Sequence, residues 1–329
     1  MKIWGQKTAD PLGQLAKLGI LSAIMANLIS IGQVFDKTVE HYKEHFAELI
    51  GISAWMVVAA VPAAVAKFIA PFTEDNTLNG LDWTVIILNN VGGLLLTVVS
   101  ILTLIMIVLA AQDHVNGTKT PIAKRVAAAR KLFFPYVWTS FLFVLLAALA
   151  LAIPFLGWLL IILSPATNIG FILSAIGAIL LAAGGIIAVV LIIKFTIQYS
   201  FAPYSLILTE EPKMKTVKES SVGAAIKQMF STGIRSMKNS SALVKGRWWA
   251  TFFRFVIPQF IYALALSLIS FLALSGLMIL IALTLGPNPL GEGVGNGVWL
   301  LLSMAVTALF TPLIALTDFY IFDSLRKTR

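Results

Sequence analysis

"KGRWWATFFRF" (residues 245–255) places three cations and five aromatic rings directly before an apolar run that continues to Thr284. Cations suit lipid phosphates, amphipathic rings suit the interface, and uninterrupted apolar residues suit hydrocarbon, so the stretch reads as a chain passing into a bilayer. A continuous helix from Trp248 to Thr284 would be about 55 Å long, against a hydrocarbon layer of about 30 Å. A bend is therefore expected at Pro258, whose ring disfavours helical geometry at Ile257. On this reading Trp248 and Trp249 lie at headgroup level while Lys245, Arg247 and Arg254 anchor to lipid. Arg130 and Lys131 take the same part before Pro135. A dedicated lipid or partner site in the same stretch stays open as the alternative.

The rest of the sequence agrees that this is a membrane protein. Of 329 residues, 59% are hydrophobic and 12% charged, whereas soluble domains run near 45–50% apolar and about 25% charged. Several runs exceed the roughly 18 apolar residues that mark a spanning helix. The short alternating strands of a membrane barrel are absent. The expected fold is all-α and polytopic, with six spans near 50–70, 84–111, 136–163, 170–199, 258–284 and 298–321. With no cysteine, thiolate chemistry and disulfides are excluded.

Charge sets the threading. Twenty-one of the 24 Lys and Arg residues fall in 1–49, 112–135, 200–248 and the tail after residue 321. The intervening connections carry Lys67 against Glu74, Asp75, Asp82 and Glu292. The positive-inside rule then puts both termini in the cytoplasm. The net charge of +9 is thereby accounted for without nucleic acid. Residues 18–31, "LGILSAIMANLISI", lack a convincing cleavage site and read as part of an interfacial N-terminal segment (1–30), not a signal peptide. The domain proper is 31–326, with a cytoplasmic helical segment at 200–248 and a tail at 327–329.

Three cytoplasmic amphipathic stretches, 35–51, 123–138 and 236–258, each precede a pair of spans closed by a polar or Gly/Pro-rich outer turn: "TEDNTLNG", "LSPATN" and "GPNPLGEGVGNG". The pattern is three hairpins with elbow helices on one leaflet. Within 200–248, "TVKE" (216–219) fits a capping box opening a further amphipathic helix.

Chemistry-bearing motifs are few. "HYKEH" (41–45) matches H-x-x-E-H, which on a helix sets His41 and His45 one turn apart with Glu44 as a base. The acidic row Asp36, Glu40, Glu44 and Glu48 equally suits a solvated face. No third ligand is evident from spacing, so no metal or other cofactor is assigned; His114 is the one remaining histidine. Convergence of His41, His45, His114 and an acidic residue would restore the metalloenzyme reading. Lys194 and Asp318 sit near the basic ends of the fourth and sixth spans and read as snorkelling groups or as an intramembrane pair. Their depth argues against a proton relay across the midplane.

Four stretches, "VFDKTVEHYKEHFAELIGI" (34–52), "FAPYSLIL" (201–208), "SMKNSSALVKGRWW" (236–249) and "TPLIALTDFYIFDSLR" (311–326), resemble the membrane domain associated with bacterial glycerophosphoryl diester phosphodiesterases and related six-span proteins. That resemblance implies a helical membrane domain standing before a catalytic barrel or alone. Only three residues follow Arg326, so the barrel and its activity are not expected here. The function expected is non-catalytic: scaffolding, or binding membrane lipids or a protein partner at the cytoplasmic leaflet. The alternatives are a transporter or flippase of a neutral or lipid substrate, and a metalloenzyme using His41, Glu44 and His45. Oligomeric state is left open.

Overall fold

A computed structural model describes residues 28–73, 80–166, 169–210, 222–286 and 288–328. The N-terminal segment before Leu28, most of the first outer turn and the "TVKE" box lie outside the described residues. Among those described, the regular elements are all helical: α1 (Ile31–Glu44), α2 (Phe46–Ser53), α3 (Trp55–Ile69), α4 (Gly80–Val115), α5 (Ile122–Leu163), α6 (Gly170–Tyr199), α7 (Ala202–Ser205), α8 (Val222–Val244), α9 (Trp248–Leu285) and α10 (Pro289–Lys327). Six are long and apolar enough, counting α2 with α3, to cross a membrane. They pair as hairpins α3–α4, α5–α6 and α9–α10, and α10 packs on α3 to join the first and last.

The helices begin where local chemistry permits. Ser30 caps α1: its hydroxyl accepts from the Gln33 amide at 3.2 Å, and Gln33 Oε1 accepts from the Ser30 amide at 3.0 Å. This reciprocal pair satisfies two donors that no turn of helix can reach. Asn288 caps α10, accepting from the Gly291 amide at 2.8 Å, with Pro289 at the first helical position, where its missing N–H costs nothing.

That cap overturns the third outer turn. "GEGVGNG" is not loop: the connection is 286–288, and the glycines form the first turns of α10. They are needed because backbones touch there. A Cβ on Gly293 would stand 2.3 Å from the Phe68 carbonyl oxygen, and one on Gly297 3.1 Å from that of Ala64. A glycine-rich string looks like a turn by composition, but its side-chain-free face is what lets α10 lie against α3.

The prolines do not end the helices. α9 is helical from Trp248 through Pro258 to Leu285, and α5 runs unbroken through Pro135, so the second elbow is simply the start of α5. Spanning helices tolerate proline because neighbours satisfy the freed carbonyl. The corner before α9 is made instead at Gly246, φ +79°, a left-handed conformation that glycine adopts without steric cost.

The tightly packed core sits at one end, the end bearing the basic segments. Leu49, Ile105, Ile107, Leu132, Ile197, Phe201, Leu316 and Phe322 are all at most 1% exposed there. The outer halves of the spans are apolar and open, with Phe171 88% and Leu283 80% exposed. Such surfaces persist only against hydrocarbon.

Two outcomes follow from this packing. Gly293→Ala forces α10 away from α3 and lowers stability by about 1–3 kcal/mol, measurable as a reduced unfolding midpoint in nanodiscs. The cysteine-free sequence also allows single cysteines at Lys119, Lys238 and Asn288. Impermeant maleimide added to one side of sealed vesicles should label the first two together and Asn288 only from the other; joint labelling of all three contradicts six crossings.

Candidate metal centre at the basic end

All three histidines of the chain meet at this end. His41 lies in the last turn of α1, His45 at the break between α1 and α2, and His114 in the last turn of α4. One ligand atom from each lies within 4.8 Å of the others. The break at His45 (φ −116°, ψ 24°) turns its ring onto His114, with centroids 3.5 Å apart and planes 14° from parallel.

The hydrogen bonds fix the tautomers. Glu48 is ion-paired with Arg125, itself 4% exposed, so it is an ionised acceptor. His114 must then donate to it from Nε2, at 3.0 Å. His114 Nδ1 is left as an acceptor and takes the Nε2 proton of His41 at 3.0 Å. His41 Nδ1 accepts in turn from the Tyr320 hydroxyl at 2.8 Å. Tyr320, His41, His114 and Glu48 thus form one directional chain. Arg125 closes it by donating from Nε to Asp113 Oδ2 at 2.8 Å. His41 is kept neutral: burial pushes its pKa down to about 4, with His114 and His45 acting in the same direction and Glu48 opposing.

Glu44, the base required by the inverted zincin spacing, is exposed and is not a member of the cluster. The carboxylate that takes part is Glu48, which had read as one member of a solvated acidic row. His114, Glu48, Arg125 and Tyr320 could not be assembled from spacing, since His41 and His114 are 73 residues apart.

The other expected site residues separate. Lys194 and Asp318 do not pair. Lys194 is exposed beside an apolar groove of about 450 Å³ with Val190, Ile193, Trp248, Trp249 and Phe252. Asp318 accepts instead from the Gln259 amide at 2.8 Å and the Tyr204 hydroxyl at 3.3 Å. Lysine on α6 looks outward while Asp318 on α10 looks toward α7 and α9.

Arg247 donates to the Thr328 hydroxyl and carbonyl at 2.5 and 2.6 Å, and Arg254 to the Ile29 carbonyl at 2.6 Å. These two guanidinium groups bolt α9 to both ends of the described chain. Lys245, Trp249, Arg130 and Lys131 are exposed, and Trp248 stacks on Phe252 at 5.3 Å.

No family profile, curated protein or solved structure matches the chain.

A histidine held neutral in the fold, but titrating near 6.5 when unfolded, contributes stability that is fully present above about pH 6.5. That stability is lost as the pH falls from there toward 4. In nanodiscs containing a chelator, the unfolding midpoint should drop between pH 7.5 and 5, and His41→Gln should flatten the drop. Parallel curves for the two proteins would show that His41 is not the group responsible.

Proposed function

We propose that this chain is a bacterial inner-membrane scaffold protein whose basic end faces the cytoplasm and binds one divalent transition-metal ion on His41, His45 and His114. The observation that carries the reading is the convergence of every histidine in the chain on one small volume. Neutral imidazole is the preferred ligand for zinc and its neighbours. The second layer is of the type that metal sites use: His114 donates its remote N–H to a carboxylate, which fixes the ring and raises its basicity. For His41 to ligate, its proton would pass from Nε2 to Nδ1, where it would donate to the Tyr320 oxygen; the Nε2 lone pair and that of His114 Nδ1 then lie 3.0 Å apart. That is close to the separation of two imidazoles bonded at about 2.0–2.1 Å to a single ion.

The residues favour holding over hydrolysis. Glu48 is already committed to His114 and Arg125, so it orients a ligand and is not free to act as a base. The ligands come from α1 and α4 with Tyr320 of α10 behind them, so binding would fasten the first surface helix to two spans. The stretches that carry the resemblance to phosphodiesterase membrane domains also fall at this end. Their placement supports a platform for lipid, and for a protein partner, at the cytoplasmic leaflet.

One observation favours the transport alternative. Asp318 joins Gln259 and Tyr204 beside a second polar line in which Thr317 bonds Thr38 at 3.3 Å and Tyr262 at 3.1 Å. Ionisable groups within spans commonly mark pathways.

Elemental analysis of chelator-stripped protein in nanodiscs, reloaded with Zn²⁺, should find about one equivalent. His45→Ala and His114→Ala should retain less than a tenth at the same free zinc, and Glu48→Gln should weaken binding about 10–100-fold. Zinc in the wild type no higher than in a variant lacking all three histidines would remove the metal from the function.

A further inference from the structure

The last turns of α8 lie over the start of the α5–α6 hairpin and leave a groove between them of about 460 Å³. That is within the usual range of ligand pockets. Its floor is apolar, formed by Leu142, Leu145 and Leu146 of α5 with Ile234 and Met237 of α8. Its rim is polar and of one kind. Lys238 and Ser241 of α8 and Lys245 just past its end follow at intervals of three and four, and Tyr199 closes the rim from α6.

These rim groups are all set to donate. The Gln198 amide donates to Ser241 Oγ at 2.6 Å and lies 3.5 Å from the Tyr199 hydroxyl oxygen. Each hydroxyl oxygen therefore faces a donor, leaving its own hydrogen for another acceptor. Neither hydrogen is committed to a partner among the described residues. The two lysines are exposed, and no carboxylate among the described residues lines the groove. Two ammonium groups and two hydroxyls above an apolar floor form a site for an anion attached to a hydrocarbon chain.

We infer that this groove binds an anionic phospholipid, with the headgroup phosphate on Lys238, Ser241, Lys245 and Tyr199 and an acyl chain along Leu142, Leu145 and Leu146. The occupant is a lipid and not a soluble anion because the floor continues onto bilayer-facing surface, where Leu145 and Val144 are 44% and 60% exposed. The charge complements the anionic lipids of the leaflet to which basic segments are drawn. This site shares no residue with the histidine cluster, so the two proposals stand or fall separately.

The test is native mass spectrometry of the protein released from nanodiscs of equal phosphatidylglycerol and phosphatidylcholine. The wild type should retain one phosphatidylglycerol with about a thirtyfold preference, the size expected of two lysines near a membrane surface. Lys238→Gln with Lys245→Gln should abolish the preference. Ala242→Phe, which fills the groove without altering charge, should remove the bound lipid while leaving the unfolding midpoint and zinc content unchanged. Retention of both lipids in proportion to the bilayer overturns the proposal, as does equal retention by both variants. Displacement of the lipid by millimolar inorganic phosphate would reassign the rim to a soluble anion. An added polypeptide mass that disappears with Ala242→Phe would reassign the groove to a protein.

Discussion

Arg125 is the constraint on which the basic end depends. Its guanidinium, 4% exposed, lies between Glu48 of α2 and Asp113 of α4. Both carboxylates are partly exposed, at 32% and 20%, so the guanidinium is the group that would be stranded if both were removed. The pair also does chemical work at a distance. Because Arg125 keeps Glu48 ionised, Glu48 can only accept. That single restriction propagates through His114 and His41 to Tyr320, setting every proton in the chain. The orientation of three rings on α1 and α4 therefore follows from a charge on α5.

The location of this network has a physical cause. Charged side chains are costly within hydrocarbon, so polar groups that must be buried gather where a span leaves the bilayer. The close-packed residues concentrate in 105–111, 197–208 and 315–325, of which the first adjoins His114 and the last contains Tyr320. Here the chain builds a core resembling that of a soluble domain. Farther out, close glycine contacts hold the hairpins, as where Gly157 meets Gly177 and Leu181, and the remaining surface is left to lipid.

The sequence made the spans and hairpins legible because bilayer solvation acts on composition summed over about 20 residues, and no tertiary contact can reverse that sum. Helix ends and turns were read less well, since they are decided by neighbours. Pro258 breaks a helix in water, yet α9 passes through it. Gly246 had no such weight on paper but makes the corner. The glycines after Pro289 suit a turn by propensity, and only the closeness of Phe68 and Ala64 explains why they are helical. The candidate site was half visible. His41 and His45 announced themselves by their spacing on one helix, whereas His114 arrives through the α3–α4 hairpin. Glu44 and Glu48 are equivalent in pattern, one helical turn apart, and differ only because Arg125 reaches one of them.

The same distinction explains why the cations of the elbows part ways. Lys238, Lys245, Arg130 and Lys131 are exposed, whereas Arg247 and Arg254 are drawn onto the backbone carbonyls of Thr328 and Ile29. Arginine can satisfy several acceptors at once with a planar fork and is weakly hydrated, so it suits a bolt. Lysine keeps a compact, strongly hydrated charge on a flexible stem and remains available to a mobile anion. A positive-inside count weighs both residues equally. The fold does not: Arg247 and Arg254 are committed to internal acceptors, while Lys238 and Lys245 stay exposed.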